Sequence, residues 1–137
     1  MASKEQMDAL FKEARKAADY AYAPYSHFRV GAALLAEDGT VFSGCNVENR
    51  SFGLTICAER NAVLQGVAQG RQVFVALAIS TPDSPAPVSP CGACRQVLSE
   101  FMSPRSPVRF GGSSGEQVDT SLGALLPLDS LHELKKD

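Results

Sequence analysis

Apolar residues first recur along the chain at helical spacing. Met7, Leu10, Phe11, Ala14, Ala18 and Ala21 follow Ser3-Lys4-Glu5-Gln6, where a serine with a glutamine three residues on fits a capping box. The pattern predicts an opening helix that runs on toward Pro24 and covers a sheet. The period then changes to strand-like runs at 28–36 and 41–45. Between them Glu37-Asp38-Gly39-Thr40 supplies the Asp-Gly turn of a hairpin. A polar loop leads to a second helix from Cys57, with Ala58, Ala62, Leu64, Val67 and Ala68 as its apolar stripe and Gly70 as its stop. Residues 73–79 are apolar almost without interruption, as expected of a strand covered on both faces. Pro82, Pro85, Pro87 and Pro90 then stiffen a loop, CGACRQVLSEFM reads as a third helix, and short strands at 108–111 and 116–119 precede a helical tail. The order αββαβαββα predicts an α/β fold. Its form is a three-layer α/β/α sandwich around a central mixed sheet of about five strands.

Composition narrows the function classes. With 137 residues, 45% of them hydrophobic, the chain suits a single domain over 1–137 with one core. Thirteen Lys+Arg stand against fifteen Asp+Glu and are scattered, so no electrostatic footprint for a nucleic-acid partner is present. Glu5, Asp8 and Glu13 fit neither a secretory signal nor a transit peptide, and no apolar run approaches the roughly 18 residues of a membrane span. The expected address is the cytoplasm. There, four cysteines read as metal ligands, buried thiols or catalytic groups in preference to disulfides.

Two short segments carry the chemistry. Cys57-Ala58-Glu59-Arg60 opens the second helix, and Pro90-Cys91-Gly92-Ala93-Cys94 opens the third, with Cys91 and Cys94 on one side of its first turn. If the two helix ends converge, their partial positive charge favours thiolates, and three thiolates hold zinc while leaving a fourth position for water. A carboxylate two residues after a ligand, Glu59, is placed to carry that water's proton. Each reading has a plainer rival. Cys45 could be a fourth ligand that closes a structural site, although it lies twelve residues from Cys57 where close pairs lie two to four apart; a buried strand-end thiol suits it better. Glu59 could simply favour a helix N-terminus, and Arg60 could be a solvated charge. By residue type alone, Phe28 is a core residue, and Asn46 and Glu48 are turn residues.

At these positions the chain resembles the cytidine deaminases, small zinc-dependent nucleoside deaminases. The likeness spans Ala23-Pro24-Tyr25-Ser26-His27-Phe28, Val30-Gly31-Ala32-Ala33, Gly44-Cys45-Asn46-Val47-Glu48-Asn49, Cys57-Ala58-Glu59-Arg60 and Ser89-Pro90-Cys91-Gly92-Ala93-Cys94-Arg95-Gln96, in order and spacing. A ligand-x-Glu followed by Pro-Cys-x-x-Cys is a known signature of zinc deaminases. The resemblance implies one zinc per subunit on Cys57, Cys91 and Cys94, proton transfer by Glu59, and ribose recognition by Asn46 and Glu48. It further implies that Phe28 stacks on the pyrimidine, the Ala58 N–H meets its 2-carbonyl, and the Ser89 carbonyl accepts from the exocyclic amine. Arg60 and Gln96 would tune the sulfurs, and the assembly would be a homotetramer. The expected reaction is hydrolysis of cytidine and 2′-deoxycytidine in pyrimidine salvage.

Two departures stand out against that family. Phe52 replaces the common tyrosine, and Leu125-Leu126-Pro127 runs into Leu128-Asp129-Ser130 without the phenylalanine that in homotetrameric members reaches a neighbouring site. Rival functions are a structural zinc module, a deaminase of another aminopyrimidine nucleoside, and a deaminase of bases within a polymer. The last would need a basic, aromatic-lined channel, and the chain has neither a basic cluster nor a Trp.

Overall fold

The computed structural model describes residues 1–134. Its main elements are α1 (Lys4–Ala18), β1 (Gly31–Ala36), β2 (Val41–Cys45), α2 (Ala58–Ala68), β3 (Phe74–Thr81), α3 (Gly92–Phe101), β4 (Pro107–Gly112), β5 (Gln117–Ser121) and α4 (Leu122–Leu125). Short 3₁₀ turns at Phe52–Leu54 and His132–Leu134 complete the order. The predicted capping box of α1 is present, with Ser3 and Gln6 each bonding the other's backbone N–H.

The strands form one sheet in the order β2-β1-β3-β4-β5. β1 lies antiparallel between β2 and β3, and β3 pairs parallel with β4. Because β2 and β3 both run opposite to β1, they run parallel to each other. α2 therefore crosses over from β2 to β3 and α3 from β3 to β4, both in the same direction along the sheet. A uniform crossover hand puts both helices on one face, and both start at the same edge. This topology brings the two cysteine-bearing N-termini together.

Alternation along the central strands divides the core in two. Ala33, Leu35, Ala76 and Ala78 face Met7, Leu10 and Ala14 of α1. Ala32, Leu34, Leu77 and Ile79 face the other layer, with Ala58 and Ala62 of α2 and Leu98 of α3. The three-layer sandwich is thus the observed architecture, and β1 is buried along its whole length. Glycine permits the closest approaches. A Cβ on Gly31 would lie 1.9 Å from the Ala14 carbonyl oxygen, and one on Gly44 would lie 2.5 Å from the Ala62 nitrogen and 2.6 Å from the Ala58 oxygen. Across the sheet, Arg109 of β4 donates to Asp119 at 2.7 Å and to Asp8 of α1 at 2.6 Å, which compensates its buried charge.

Three expectations are corrected. The first helix stops at Ala18 instead of running toward Pro24. The first strand starts at Gly31, not at residue 28. His27 takes a left-handed backbone (φ 57), and the Asn46 side chain takes the Phe28 carbonyl and the Val30 N–H, while the Val30 carbonyl is met by a backbone group, the Asn46 N–H. The buried face of α2 is also different: Ala58, Glu59, Ala62, Val63 and Gly66 point inward, while Leu64 and Val67 are 56% and 37% exposed. Apolar and polar residues are mixed around this helix, Glu59 among the buried ones, so it has no unique apolar stripe. Here the small face is chosen because Phe74 and Phe42 pack onto Gly66, where a Cβ would lie 2.5 Å from the Phe74 ring.

Candidate metal centre and active site

Cys57 and Cys91 occupy the N-cap positions of α2 and α3, one residue ahead of the helices, and neither side chain caps its own helix. Their sulfurs are free to face each other, 3.9 Å apart. Cys94, in the first turn of α3 and wholly buried, completes a trio whose sulfurs all lie within 4.8 Å of one another. Two thiolates on a tetrahedral zinc with bonds of about 2.3 Å sit about 3.8 Å apart, so the donor set and its spacing fit that ion. Cys45 is not part of this group among the described residues. It is a half-buried free thiol at the end of β2, pushed up in pKa by burial.

Electrostatics separate the three thiols. A hydrogen bond from the Cys94 thiol brings Cys57 down to about 5, against the opposing effect of burial, and Arg60 assists by donating from Nη2 to the Cys57 sulfur at 3.3 Å. The same hydrogen bond, burial and the nearby Glu59 charge push Cys94 strongly upward. Without a metal, the cluster therefore concentrates its first negative charge on Cys57. Full deprotonation needs a cation, and binding releases protons. The Arg60 Nε is buried without a hydrogen-bond partner, so the guanidinium faces the sulfurs with donor capacity left over.

Glu59 is in the first turn of α2, 4% exposed. Burial is the main reason its carboxyl is raised from 4.5 to about 7, and the charge on Cys57 adds to it. It lines a cavity of about 190 Å³ with Val30, Asn46, Thr55, Cys57, Ala58, Ile79, Thr81, Val88, Ser89 and Cys91. A titratable carboxyl at neutral pH, two of the three clustered thiols and apolar walls share this one space. Roomier grooves of about 500 and 560 Å³ lie between α3 and the tail and beside α2, but neither contains the thiol trio or a buried carboxylate.

Other expected site residues are partly engaged in holding the walls. Asn46 is buried; its Oδ1 accepts from the Val30 N–H at 2.9 Å and its Nδ2 donates to the Phe28 carbonyl at 2.8 Å. The half-buried Phe28 ring does not line the cavity beside Glu59. Glu48 accepts from the Tyr25 and Ser26 N–H groups at 3.0 and 3.1 Å and from the Ser26 hydroxyl, which holds its carboxyl below the usual range. It sits in an adjoining cavity of about 380 Å³ with Tyr25, Ser26, Phe52 and Thr55. Ala58 begins α2, where an amide has no carbonyl a turn earlier to bond. Ser89 is at the cavity wall. Gln96 is not brought to a sulfur: its amide donates to Ser99 at 3.2 Å and to Asp129 at 3.4 Å. Sequence reasoning missed Thr55, which lines both cavities, and Ser26, which fixes Glu48; neither carries a charge or a spacing that would single it out.

Comparison with known proteins follows the same outline. Residues 4–109 match the family described as "Cytidine and deoxycytidylate deaminase zinc-binding region". A cytidine deaminase of Sporosarcina psychrophila is 49% identical over 121 residues, covering 88% of each chain. One from Halalkalibacterium halodurans is 48% identical over 118 residues, covering 86% of this chain and 89% of its own. The crystal structure of cytidine deaminase from Burkholderia pseudomallei superposes with a TM-score of 0.84 at 47% identity, over 88% of this chain and 96% of that one. A family match over most of the chain, including both cysteine segments, together with relatives close to half identical, places this protein in the cytidine and deoxycytidylate deaminase family of zinc-binding hydrolases.

Proposed function

We propose that the chain hydrolyses cytidine and 2′-deoxycytidine to uridine and 2′-deoxyuridine, releasing ammonia, as a cytoplasmic step of pyrimidine salvage. The observation that carries this reading is Glu59, a 4%-exposed carboxyl with a pKa of about 7, lining one cavity with two of the three clustered thiols. Cys57, Cys91 and Cys94 would hold one zinc per subunit. When bound, zinc supplies the Lewis acidity that makes water a usable nucleophile at neutral pH.

The protein's own groups do the rest. Glu59 takes one proton from the attacking water and hands it to ring N3, then takes the second from the hydroxyl added at C4 and gives it to the amine as that leaves; a carboxyl titrating near neutrality can both accept and return a proton. Arg60 draws charge from the Cys57 sulfur through its hydrogen bond, which offsets the electron-rich set of three thiolates. Asn46 and Glu48 take the ribose hydroxyls, Phe28 stacks on the ring, and the Ala58 N–H and the Ser89 carbonyl meet the 2-carbonyl and the amine. Leu64 and Val67 on α2 and the fully exposed Leu128 are apolar surface that copies in a homotetramer would cover. A sedimentation run with only active monomer removes that assembly.

The test of function is loss of ultraviolet absorbance when zinc-loaded protein meets cytidine, 2′-deoxycytidine, cytosine, CMP and adenosine. Turnover of the two nucleosides is expected, with CMP far weaker, because Glu48 stays ionised at neutral pH and repels a phosphate. Equal efficiency on CMP, or no reaction with cytidine, overturns the reading.

A further inference from the structure

Arg95 follows Cys94 in α3, and its side chain bends back toward the start of the helix, as helical side chains do. Its guanidinium makes three hydrogen bonds to three groups: Nε donates to the Pro90 carbonyl at 2.7 Å, Nη2 to the Ser89 hydroxyl at 3.0 Å, and Nη1 to the Leu125 carbonyl at 2.8 Å. Ser89 and Pro90 end the proline-rich loop, directly before Cys91, and Ser89 is part of the wall that faces Glu59. Leu125 is the last residue of α4, where helical carbonyls lack intrahelical partners.

We propose that Arg95 is a positioning residue for the reaction: it fixes the Ser89–Pro90 segment against the metal helix and locks that segment to the C-terminal part of the chain. The inference rests on the functional reading above, in which the Ser89 carbonyl meets the exocyclic amine. The geometry gives one side chain control of where that carbonyl points, because the peptide unit after Ser89 is bracketed by the Ser89 hydroxyl and the Pro90 carbonyl, both held by one rigid fork. Only arginine offers donors in a planar array able to reach three acceptors at once; a lysine ammonium is a single point charge on a flexible stem. The link to Leu125 also explains how the tail, remote from the thiols in sequence, is coupled to the wall of the cavity. Pro82, Pro85, Pro87 and Pro90 stiffen the loop, but Pro90 has no N–H, so the loop needs an outside donor to set its last turn.

The experiment compares Arg95→Ala and Arg95→Lys with the parent, all full-length and zinc-loaded, by zinc content, steady-state kinetics per bound zinc, and amide hydrogen exchange over residues 84–91 and 122–128. For Arg95→Ala, kcat/KM on cytidine is expected to fall about 10–100-fold, since a misplacement of about 1 Å costs up to about 100-fold. Most of the loss should sit in kcat, because the amine donates more strongly as it gains protons and leaves. Exchange should rise in both segments together. Arg95→Lys should recover only part of the rate, and it serves as the readout if the alanine variant does not fold. A merely structural role predicts less folded, zinc-loaded protein with kcat per zinc unchanged, and kcat per zinc within about twofold of the parent in the folded variants overturns the proposal. If the parent does not act on cytidine, the functional reading falls while the exchange arm still decides whether Arg95 couples the two segments. Unchanged exchange in either segment counts against it.

Discussion

Replacing Glu59 with glutamine tests chemistry and burial at once. The carboxyl is 4% exposed and its pKa rises from an ordinary 4.5 to about 7, mainly because burial disfavours the charged form. A carboxyl whose folded value lies above its unfolded one adds stability in full below about pH 4.5, and that stability is lost as pH rises to about 7. The interval of 2.5 between 4.5 and about 7, at 1.36 kcal/mol per pH unit, gives about 3 kcal/mol. Glutamine does not titrate, so the stability of Glu59→Gln relative to the parent should climb by about 3 kcal/mol across this window and then level off. Urea denaturation of both metal-free proteins from acid to slightly alkaline pH reads it. Taking the difference between them removes most of the titration of Cys57. With zinc loaded, turnover of cytidine by the variant should drop about 10²–10⁴-fold or more while zinc is retained, because glutamine cannot accept the water's proton. A flat stability difference refutes the burial argument, and near-normal turnover in zinc-replete Glu59→Gln refutes the proton-carrier role.

Other outcomes follow from the same geometry. Cys91→Ala removes one of the three clustered sulfurs and should release zinc, whereas Cys45→Ser, outside the cluster, should keep it; metal analysis of the two purified variants decides. Gly44→Ala places a Cβ 2.5 Å from the Ala62 nitrogen, so α2 must shift; a loss of about 1–3 kcal/mol in denaturant, with weaker zinc retention, is expected. Arg29 holds Asp83 down at about 2 through a two-pronged hydrogen bond. Its contribution is therefore present above about pH 3.8 and lost as pH falls toward 2; Asp83→Asn should cost no more than about 1 kcal/mol at neutral pH after solvent screening, and the difference should vanish in acid.

The elements themselves were legible in the sequence because their signals are local. A capping box, an Asp-Gly turn, a glycine stop at Gly70 and doubly apolar strands each act over a few residues, and β2 has the expected bounds, Val41–Cys45. The metal segments were legible for a similar reason: Cys91 stands at the N-cap of one helix with Cys94 in its first turn, and Cys57 stands at the N-cap of another with Glu59 in its first turn. Tertiary structure decided what depends on long separations. The meeting of Cys57 with Cys91 and Cys94 follows from two crossovers of one hand from parallel strands, which no local pattern encodes. The face that α2 buries was set by the Phe74 and Phe42 rings on Gly66, because a helix with apolar residues spread around it and no dominant stripe leaves that choice to its neighbours. The start of β1 was set by Asn46, whose side chain takes backbone groups that a strand partner would otherwise use. Likewise the engagement of Gln96 with Asp129 and of Arg95 with Leu125 joins residues thirty or more positions apart. Such side-chain partners are chosen by packing after the chain has folded, and residue type alone does not name them.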